Sequence, residues 1–353
     1  MPAKFTYSRL GTALLAAGLA FSTATNAALR PCGFSFGAGW NGPAANYPAS
    51  ADFVTIWAGA DEAWNAYWIG DMLKSCKPGG KLAGKTPVYY SYIIAFTARR
   101  DLNLQDCNVG TPNLCQKGAN FIRQKKDRIL AQYAKYASET AKAWGTTDPI
   151  VWMMEPDYFQ YASDTKQEGG PLSYAEAGNL MKDLVAKVRE SLPNAVFSMD
   201  ISPWMPDAAK WYAAFKMDDF TYINTSGGET DANNVKIRAA NNMTWKSVHD
   251  LTNKPIIADD GYGVAGSGTY HDATWDDVGN LNARIADGVV AVSQVNPKSD
   301  WNSTITSVRG QLKTNACQVG LLPRASAPPR GFAVILWDAL GRPMALQRMG
   351  IRK

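Results

Sequence analysis

The sequence predicts an α/β fold: a TIM-like (β/α) barrel, regular or distorted, with a short C-terminal β tail. Strand and helix patterns alternate about eight times over roughly 280 residues, as they do in such a barrel. Acidic residues recur where the predicted strands end, at the edge where parallel α/β folds carry their chemistry. No glycine-rich phosphate fingerprint follows a strand, which disfavours the alternative, an open doubly wound sheet.

The predicted strands are short apolar runs bounded by turn residues or acids. The clearest spans 148–157, where an apolar run with a tryptophan and a β-branched pair is followed by Glu155 and Asp157. Carboxylates at the mouth of a buried strand are costly unless they serve a function. The full set of predicted strands is 32–40, 52–57, 87–96, 148–157, 195–200, 220–224, 255–259 and 289–295.

Helices are predicted where apolar residues recur three or four positions apart. Trp64, Tyr67 and Trp68 have this spacing, which favours a buried helix face over a ligand platform. Ser173 with Glu176 three residues later is a capping-box signature that opens a helix. The predicted helices are 60–76, 120–144, 173–192, 207–216, 232–252 and 276–286.

The two ends of the chain differ from the predicted barrel domain, which covers residues 28–320. Basic residues followed by an apolar run and small residues up to Ala27 predict a signal peptide over 1–27. The protein is therefore expected to be secreted or displayed at the cell surface. Residues 321–330 have the composition of a linker, and residues 331–353 predict strand, turn and strand.

The predicted tail contains a strand that ends in Asp-Ala-Leu-Gly-Arg and is followed by a second strand. This pattern resembles the tail of the C-terminal sorting domains of the type nine secretion system. The resemblance implies export across an outer membrane. The alternative is a hairpin packed on the barrel.

Five cysteines follow the predicted signal peptide, and export makes disulfide bonds plausible. Cys107 and Cys115 bracket a short loop rich in Asn, Gly and Pro, so they are the expected pair. Cys32 with Cys76 is the weaker alternative. The odd number leaves one cysteine free.

Charge and histidine content argue against several classes of function. The net charge of +5 is mild and the basic residues are scattered, so no nucleic-acid partner is expected. The N-terminal apolar run is too short to span a membrane comfortably, so no integral membrane segment is expected. His249 lies in a helical pattern and His271 in a polar loop, where a solvated side chain is expected. A catalytic triad or a metal site is therefore poorly supported, and no cofactor is expected.

The acids after the predicted strands would converge on one face of a barrel. A carboxylate cluster in an aromatic-lined cleft suits glycoside hydrolysis, because one acid must protonate the leaving oxygen while a second activates water or attacks the sugar. The sequence therefore predicts a polysaccharide as the partner. The acids at these positions are Asp101, Asp106, Asp157, Asp200, Asp259 and Asp300.

The run Val151-Trp-Met-Met-Glu-Pro-Asp157 is similar to the strand-four motif of glycoside hydrolase family six, the inverting cellulases and cellobiohydrolases. The resemblance implies that Asp157 is the general acid. It also implies that Asp101 or Asp106 tunes the pKa of that acid and that Asp200 holds substrate or shields charge. Pro255 to Asp259 is similar to the seventh strand of the family, which implies a substrate contact for Asp259.

The last signature of family six carries its proposed base. This chain has Asn296-Pro-Lys-Ser-Asp300 at that place and lacks the Gly-Gly-Glu of the family. The resemblance implies that Asp300 assists the attacking water in an inverting reaction on cellulose or another β-glucan. The aromatic residues expected to contact substrate are Trp40, Trp204, Trp301 and Tyr90.

Two alternatives stand beside this prediction. A retaining barrel glycosidase would use Glu155 as its acid/base, but it needs a second glutamate after the seventh strand, where this chain has Asp259 and Asp260. A non-catalytic carbohydrate-binding protein would keep the aromatic cleft and lose the base. The weakened last signature favours this second alternative.

Overall fold

The computed structural model describes residues 33–313, apart from 44, 108, 226–229, 239, 260–270 and 296. Eight parallel strands pair in chain order and close into a barrel. The predicted (β/α) barrel is therefore confirmed, and the alternative of an open sheet is wrong. The strands are β1 Ser35–Gly39, β2 Phe53–Ala58, β3 Thr86–Ser91, β4 Ile150–Met154, β5 Ala195–Ile201, β6 Tyr222–Thr225, β7 Ile256–Asp259 and β8 Val289–Gln294.

Helices surround the barrel and follow its strands. The predicted capping box forms, because Ser173 and Glu176 each accept a hydrogen bond from the backbone of the other. The helices among the described residues are α1 Ile69–Cys76, α2 Ile93–Leu102, α3 Leu114–Trp144, α4 Tyr158–Ala162, α5 Tyr174–Ser191, α6 Ala208–Ala213, α7 Trp245–Thr252, α8 Val278–Ala286 and α9 Trp301–Arg309.

Three predicted elements differ from the structure. The run 87–96 is a strand only to Ser91 and then begins α2, because a continuous apolar run does not distinguish a buried strand from a buried helix. The helix predicted from residue 60 begins only at Ile69. The helix predicted over 232–252 is helical in the described structure only over Trp245–Thr252.

The strands divide their side chains between two cores. The residues that point into the barrel form a cluster made up of Phe53, Val88, Tyr90, Val151, Met153, Val196, Tyr222, Ile257, Val290 and Ala291. The alternate residues, such as Trp152 and Phe197, pack outward in the larger core that the helices share. At Gly37 an added Cβ would lie 2.0 Å from the ring of Phe53, so only glycine fits at this interior position.

A disulfide bond joins Cys107 and Cys115, as predicted. Cys76 is a buried free thiol, so the weaker prediction of a bond between Cys32 and Cys76 is wrong. The predicted signal peptide (1–27), linker (321–330) and β tail (331–353) lie outside the described residues and stay predictions. Within the described ranges, no helix has both the length and the apolar character needed to cross a membrane.

Candidate active site

Polar side chains replace the apolar ones where the inner face of the barrel reaches the C-terminal ends of the strands. Asp200 of β5 pairs in register with Asn224 of β6, and Asp259 of β7 pairs with Ser293 of β8. Paired residues of parallel strands share a face, and Asn224 also pairs with Ile257 of the interior cluster. Two carboxylates, an amide and a hydroxyl therefore line the interior at the end where barrels carry their chemistry.

Tyr92, just after β3, interacts with several of the acidic residues. Its hydroxyl donates a hydrogen bond of 3.3 Å to Asp106 Oδ1. Burial raises the pKa of this phenol well above its ordinary value, and the negative charges of Asp157, Glu155 and Asp200 raise it further. Three carboxylates, two from the turn after β4 and one from β5, therefore act on one hydroxyl group.

Asp157 precedes α4 with a left-handed backbone conformation, at a φ of 63°. Its side chain is half-buried. The amide of Gln160 donates a hydrogen bond of 2.8 Å to Asp157 Oδ1. The disulfide sulfur of Cys115 lies 3.7 Å from Gln160 Oε1. The disulfide-bonded loop thus packs against the residue that holds Asp157.

Glu155 is fully buried, with 0% of its surface exposed. Its carboxylate accepts hydrogen bonds from the hydroxyls of Tyr133 and Tyr161 and from the backbone N–H of Ile94 at 2.8 Å. Burial raises the pKa of Glu155 to about 7, against the lowering effect of these hydrogen bonds. A carboxylate that is enclosed by α2, α3 and α4 and held by three hydrogen bonds is not presented to a substrate, which argues against the predicted acid/base role for Glu155.

The structure distinguishes between the two acids that follow β3. Asp106 forms an ion pair with Arg99 and accepts the hydrogen bond from Tyr92. Asp101 instead accepts two hydrogen bonds, of 2.5 and 2.7 Å, from the guanidinium of Arg128 in α3. Asp106 therefore belongs to the site, whereas the predicted role for Asp101 is wrong because a helix–helix ion pair holds it elsewhere.

Two of the residues predicted near the end of β8 do not join the acids in the described structure. Asp300 is exposed at the N-terminus of α9, and its side chain makes no capping hydrogen bond. Trp301 is 0% exposed, and its indole N–H donates to Asp276 Oδ1 at 2.9 Å. The predicted stacking of a sugar on Trp301 is therefore wrong, since this ring is part of the core.

The other predicted aromatic contacts have different surroundings. Tyr90 points into the barrel and stacks on the half-buried Trp57, with ring centroids 4.9 Å apart. Trp40 is 5% exposed and stacks on Tyr47, so its ring faces are covered and the predicted sugar contact is wrong. The guanidinium of Arg238 lies 5.3 Å from the ring centre of Trp204 and covers one of its faces.

Sequence reasoning missed several polar residues of the site. Tyr92 fell within the strand predicted over 87–96, so its place between β3 and α2 had no signal in the sequence. The amide of Asn224 and the hydroxyl of Ser198 are buried and have no hydrogen-bond partner in the described part of the chain. Such groups suit a ligand that both donates and accepts hydrogen bonds.

The two histidines lie apart from these residues. His249 contacts the carbonyl oxygen of Lys254 at 2.8 Å, which confirms the structural role expected of it. The side chain of His271 is only 4% exposed and is paired with Asp276 at 2.6 Å, so the expectation of a solvated side chain in the loop is wrong. Among the residues that the structure describes, no group of three or more His, Cys, Asp or Glu side chains could hold a metal ion.

Comparisons with known proteins add information on the fold alone. No protein-family model matches the sequence, and no curated protein sequence does. A double mutant of the Cellulomonas fimi endo-β-1,4-mannanase is similar, at 11% identity and a TM-score of 0.51 over 83% of this chain and 74% of that one. A modular endo-β-1,4-mannanase of C. fimi, described among glycoside hydrolase family 26 mannanases, is 12% identical at 0.51, over 86% and 80%.

The expected kinship with glycoside hydrolase family six is wrong. The family-model comparison gives it no support, and these similar structures are described as endo-mannanases, with one assigned to family 26. The resemblance rested mainly on Glu155-Pro-Asp157, and the structure places the glutamate of that motif in the core. The inverting reaction and the role of Asp300, which depended on the resemblance, lose their basis.

Proposed function

We propose that this protein is a glycoside hydrolase that cleaves a β-linked polysaccharide outside the cell, with Asp157 and Asp200 as its pair of carboxylates. One observation carries the proposal: Asp157 follows β4 and Asp200 lies near the end of the neighbouring β5, so both carboxylates lie at the C-terminal mouth of the barrel, where their charges act on the buried Tyr92 phenol. They are therefore within electrostatic reach of the same hydroxyl group. Glycoside hydrolases typically use a pair of carboxyl groups, one on each side of the bond that is cleaved.

The surroundings of the two acids suggest different roles. Asp157 is half-buried, and we assign it the protonation of the leaving oxygen. Asp200 lies deeper on the inner face, where Ser202 donates a hydrogen bond of 3.1 Å to its Oδ2. This fixed position on the inner face suits the group that attacks the sugar or activates water.

Neighbouring residues fit the same reaction. The ion pair of Arg99 with Asp106 fixes the acceptor of the Tyr92 hydrogen bond. The stacked rings of Trp57 and Tyr90 lie on the inner face next to Met153 and Ser198, and an aromatic face suits the apolar side of a sugar ring. These contacts support a neutral, hydroxyl-rich substrate.

The experiment uses the protein without residues 1–27 and measures the reducing sugars that it releases from β-1,4-mannan, β-1,4-glucan and xylan. Mannan is included because the similar solved structures are named as mannanases. We expect release from at least one polysaccharide and a large loss in Asp200→Asn, whose fold is checked by circular dichroism. NMR of the first product identifies its anomer and hence retention or inversion.

A non-catalytic carbohydrate-binding protein is the second candidate. The observation that favours it is the burial of Glu155, which removes from the mouth the glutamate that follows β4. Retention of the protein on an insoluble polysaccharide, with no sugar released from any member of the panel, would establish binding in place of catalysis.

A further inference from the structure

The loop between β2 and α1 exposes two large aromatic side chains. Tyr67 is 86% exposed and Trp68 is 42% exposed. Within the described ranges they are the only aromatic residues among the large exposed hydrophobic side chains. Their helical spacing with Trp64 predicted a buried helix face, but α1 begins only at Ile69 and leaves both rings in the loop. That prediction is wrong for Tyr67 and Trp68.

The backbone of this loop is held in place although the rings are exposed. The side-chain oxygen of Asn65 accepts hydrogen bonds from the backbone N–H of Tyr67 at 3.1 Å and of Trp68 at 2.9 Å. The amide nitrogen of Asn65 donates to Asp61 Oδ2 at 2.8 Å. The two rings therefore project from a fixed turn, so a ligand that binds them has little backbone ordering to bring about.

A cluster of aromatic rings supports Trp68 from below. Trp68 packs edge-on against Trp40, with ring centroids 6.1 Å apart, and Trp40 stacks on Tyr47 at 5.4 Å. The ammonium of Lys81 lies 5.8 and 5.0 Å from the centres of the Trp40 and Tyr47 rings. At Gly42, with a φ of +90°, an added Cβ would come within 3.4 Å of the Trp68 ring. Trp40 thus serves as the support of an exposed ring.

These rings lie at the same end of the barrel as the proposed catalytic acids. Trp40 follows β1, and Tyr67 and Trp68 follow β2, whereas Asp157 follows β4 and Asp200 ends β5. In the closed order β1 to β8, β2 is two strands from β4 and three from β5 around the mouth. A ligand that reaches both groups must therefore be an extended chain that runs along the mouth.

We propose that Tyr67 and Trp68 form an aromatic platform that binds sugar rings of a polysaccharide chain at a distance from Asp157 and Asp200. Exposed, pre-positioned aromatic faces suit the C–H faces of pyranose rings. The nearby Glu62 carboxylate is paired with Arg100 and Arg128, which leaves the surroundings suited to a neutral ligand. The choice of a polysaccharide as the ligand rests on the proposed function, but binding to the platform can be measured without any catalysis.

The test compares Tyr67→Ala/Trp68→Ala with the unchanged protein, both without residues 1–27, in adsorption to insoluble mannan and cellulose. We expect the double variant to bind the polysaccharide retained by the parent about tenfold or more weakly. The single variant Trp68→Tyr, which keeps Tyr67 and an aromatic ring at position 68, is expected to retain much of the binding that the double variant loses. Leu251→Ala, which removes an exposed apolar side chain of α7, is the matched control and leaves adsorption unchanged.

A kinetic comparison separates this inference from the proposed function. If the protein is a hydrolase, the double variant raises KM for the polymer and leaves kcat/KM for a trisaccharide unchanged. If the parent hydrolyses no polysaccharide but the double variant still adsorbs more weakly than the parent, the result would support the platform and refute the proposed hydrolase activity. Equal adsorption of variant and parent, no adsorption by the parent, or a loss explained by a dimer that dissociates in sedimentation would each overturn the platform.

Discussion

Tyr161 of α4 donates a hydrogen bond of 2.5 Å to the carboxylate of Glu155, the residue that directly follows β4. Asp157 lies two residues further along the same turn. Glu155 and Asp157 both have positive φ angles, of 43° and 63°. Such backbone conformations are unfavourable for these residue types and persist where the surroundings hold them. Glu155 therefore anchors the turn that presents Asp157.

Replacement of Glu155 is expected to reduce the free energy of unfolding, and the loss is larger when the new side chain keeps fewer of the hydrogen bonds. Glu155→Ala leaves the hydroxyls of Tyr133 and Tyr161 without their acceptor and creates a cavity, which costs about 3 kcal/mol of unfolding free energy. Glu155→Gln keeps the shape and one acceptor, so it costs less. Urea unfolding measures both, and equal stability of Glu155→Ala and the parent would contradict the anchoring role.

The pH dependence of stability follows from the pKa of Glu155, which is raised from 4.5 to about 7 in the folded protein. Between these values the unfolded chain has released its proton while the folded protein retains it, so the folded state binds more protons. The contribution of Glu155 to stability is therefore greatest below pH 4.5 and falls by about 3 kcal/mol as the pH rises to 7.

Glu155→Gln provides the reference for this measurement, since it removes the titration and leaves the other groups in place. The difference in unfolding free energy between parent and Glu155→Gln should change steadily from pH 4.5 to 7 and level off above that range. A difference that stays constant across these pH values would show that Glu155 does not retain its proton in the folded protein.

Asp101 and Asp106 are a matched pair for testing the assignment around Tyr92. Asp106→Asn weakens the ion pair with Arg99 next to the site, and it is expected to lower kcat at least several-fold. Asp101→Asn weakens the ion pair with Arg128, which costs about 1 kcal/mol of stability and leaves kcat unchanged. The reverse pattern in steady-state kinetics would place Asp101 in the site.

Trp301 should behave as a core residue. Trp301→Ala removes a fully buried ring that packs against Phe36 with centroids 5.9 Å apart, and it is expected to cost about 3–5 kcal/mol of unfolding free energy. The more conservative Trp301→Phe keeps most of the packing and should leave KM for polysaccharide unchanged. A rise in KM with no loss of stability would instead return Trp301 to the substrate.

The barrel could be predicted from the sequence because each buried strand shows a short apolar run and helical patterns alternate with it. Asp157 and Asp200 were found for the same reason, since both lie where such runs end. The burial of Glu155 could not be predicted: alternation with Val151 and Met153 points it inward, but its positive φ turns the side chain toward α3.

The exposure of Tyr67 and Trp68 was hidden for a related reason. Spacing alone places them on a helix face, whereas the hydrogen bonds of Asn65 form a turn and delay the helix to Ile69. The family-six resemblance failed because three residues are a weak signature, and local identity at Glu155-Pro-Asp157 does not determine which way each side chain points.

The most direct test of the account is the rate of sugar release by Asp157→Asn on the polysaccharide that the parent hydrolyses fastest. Asp127→Asn, at an exposed position of α3, is the control for the loss of one negative charge. We predict a decrease of about 100-fold or more for Asp157→Asn, because a positioned general acid contributes on that order, and no change for Asp127→Asn. Release by Asp157→Asn at the rate of the parent would contradict the assignment of Asp157 as the catalytic acid.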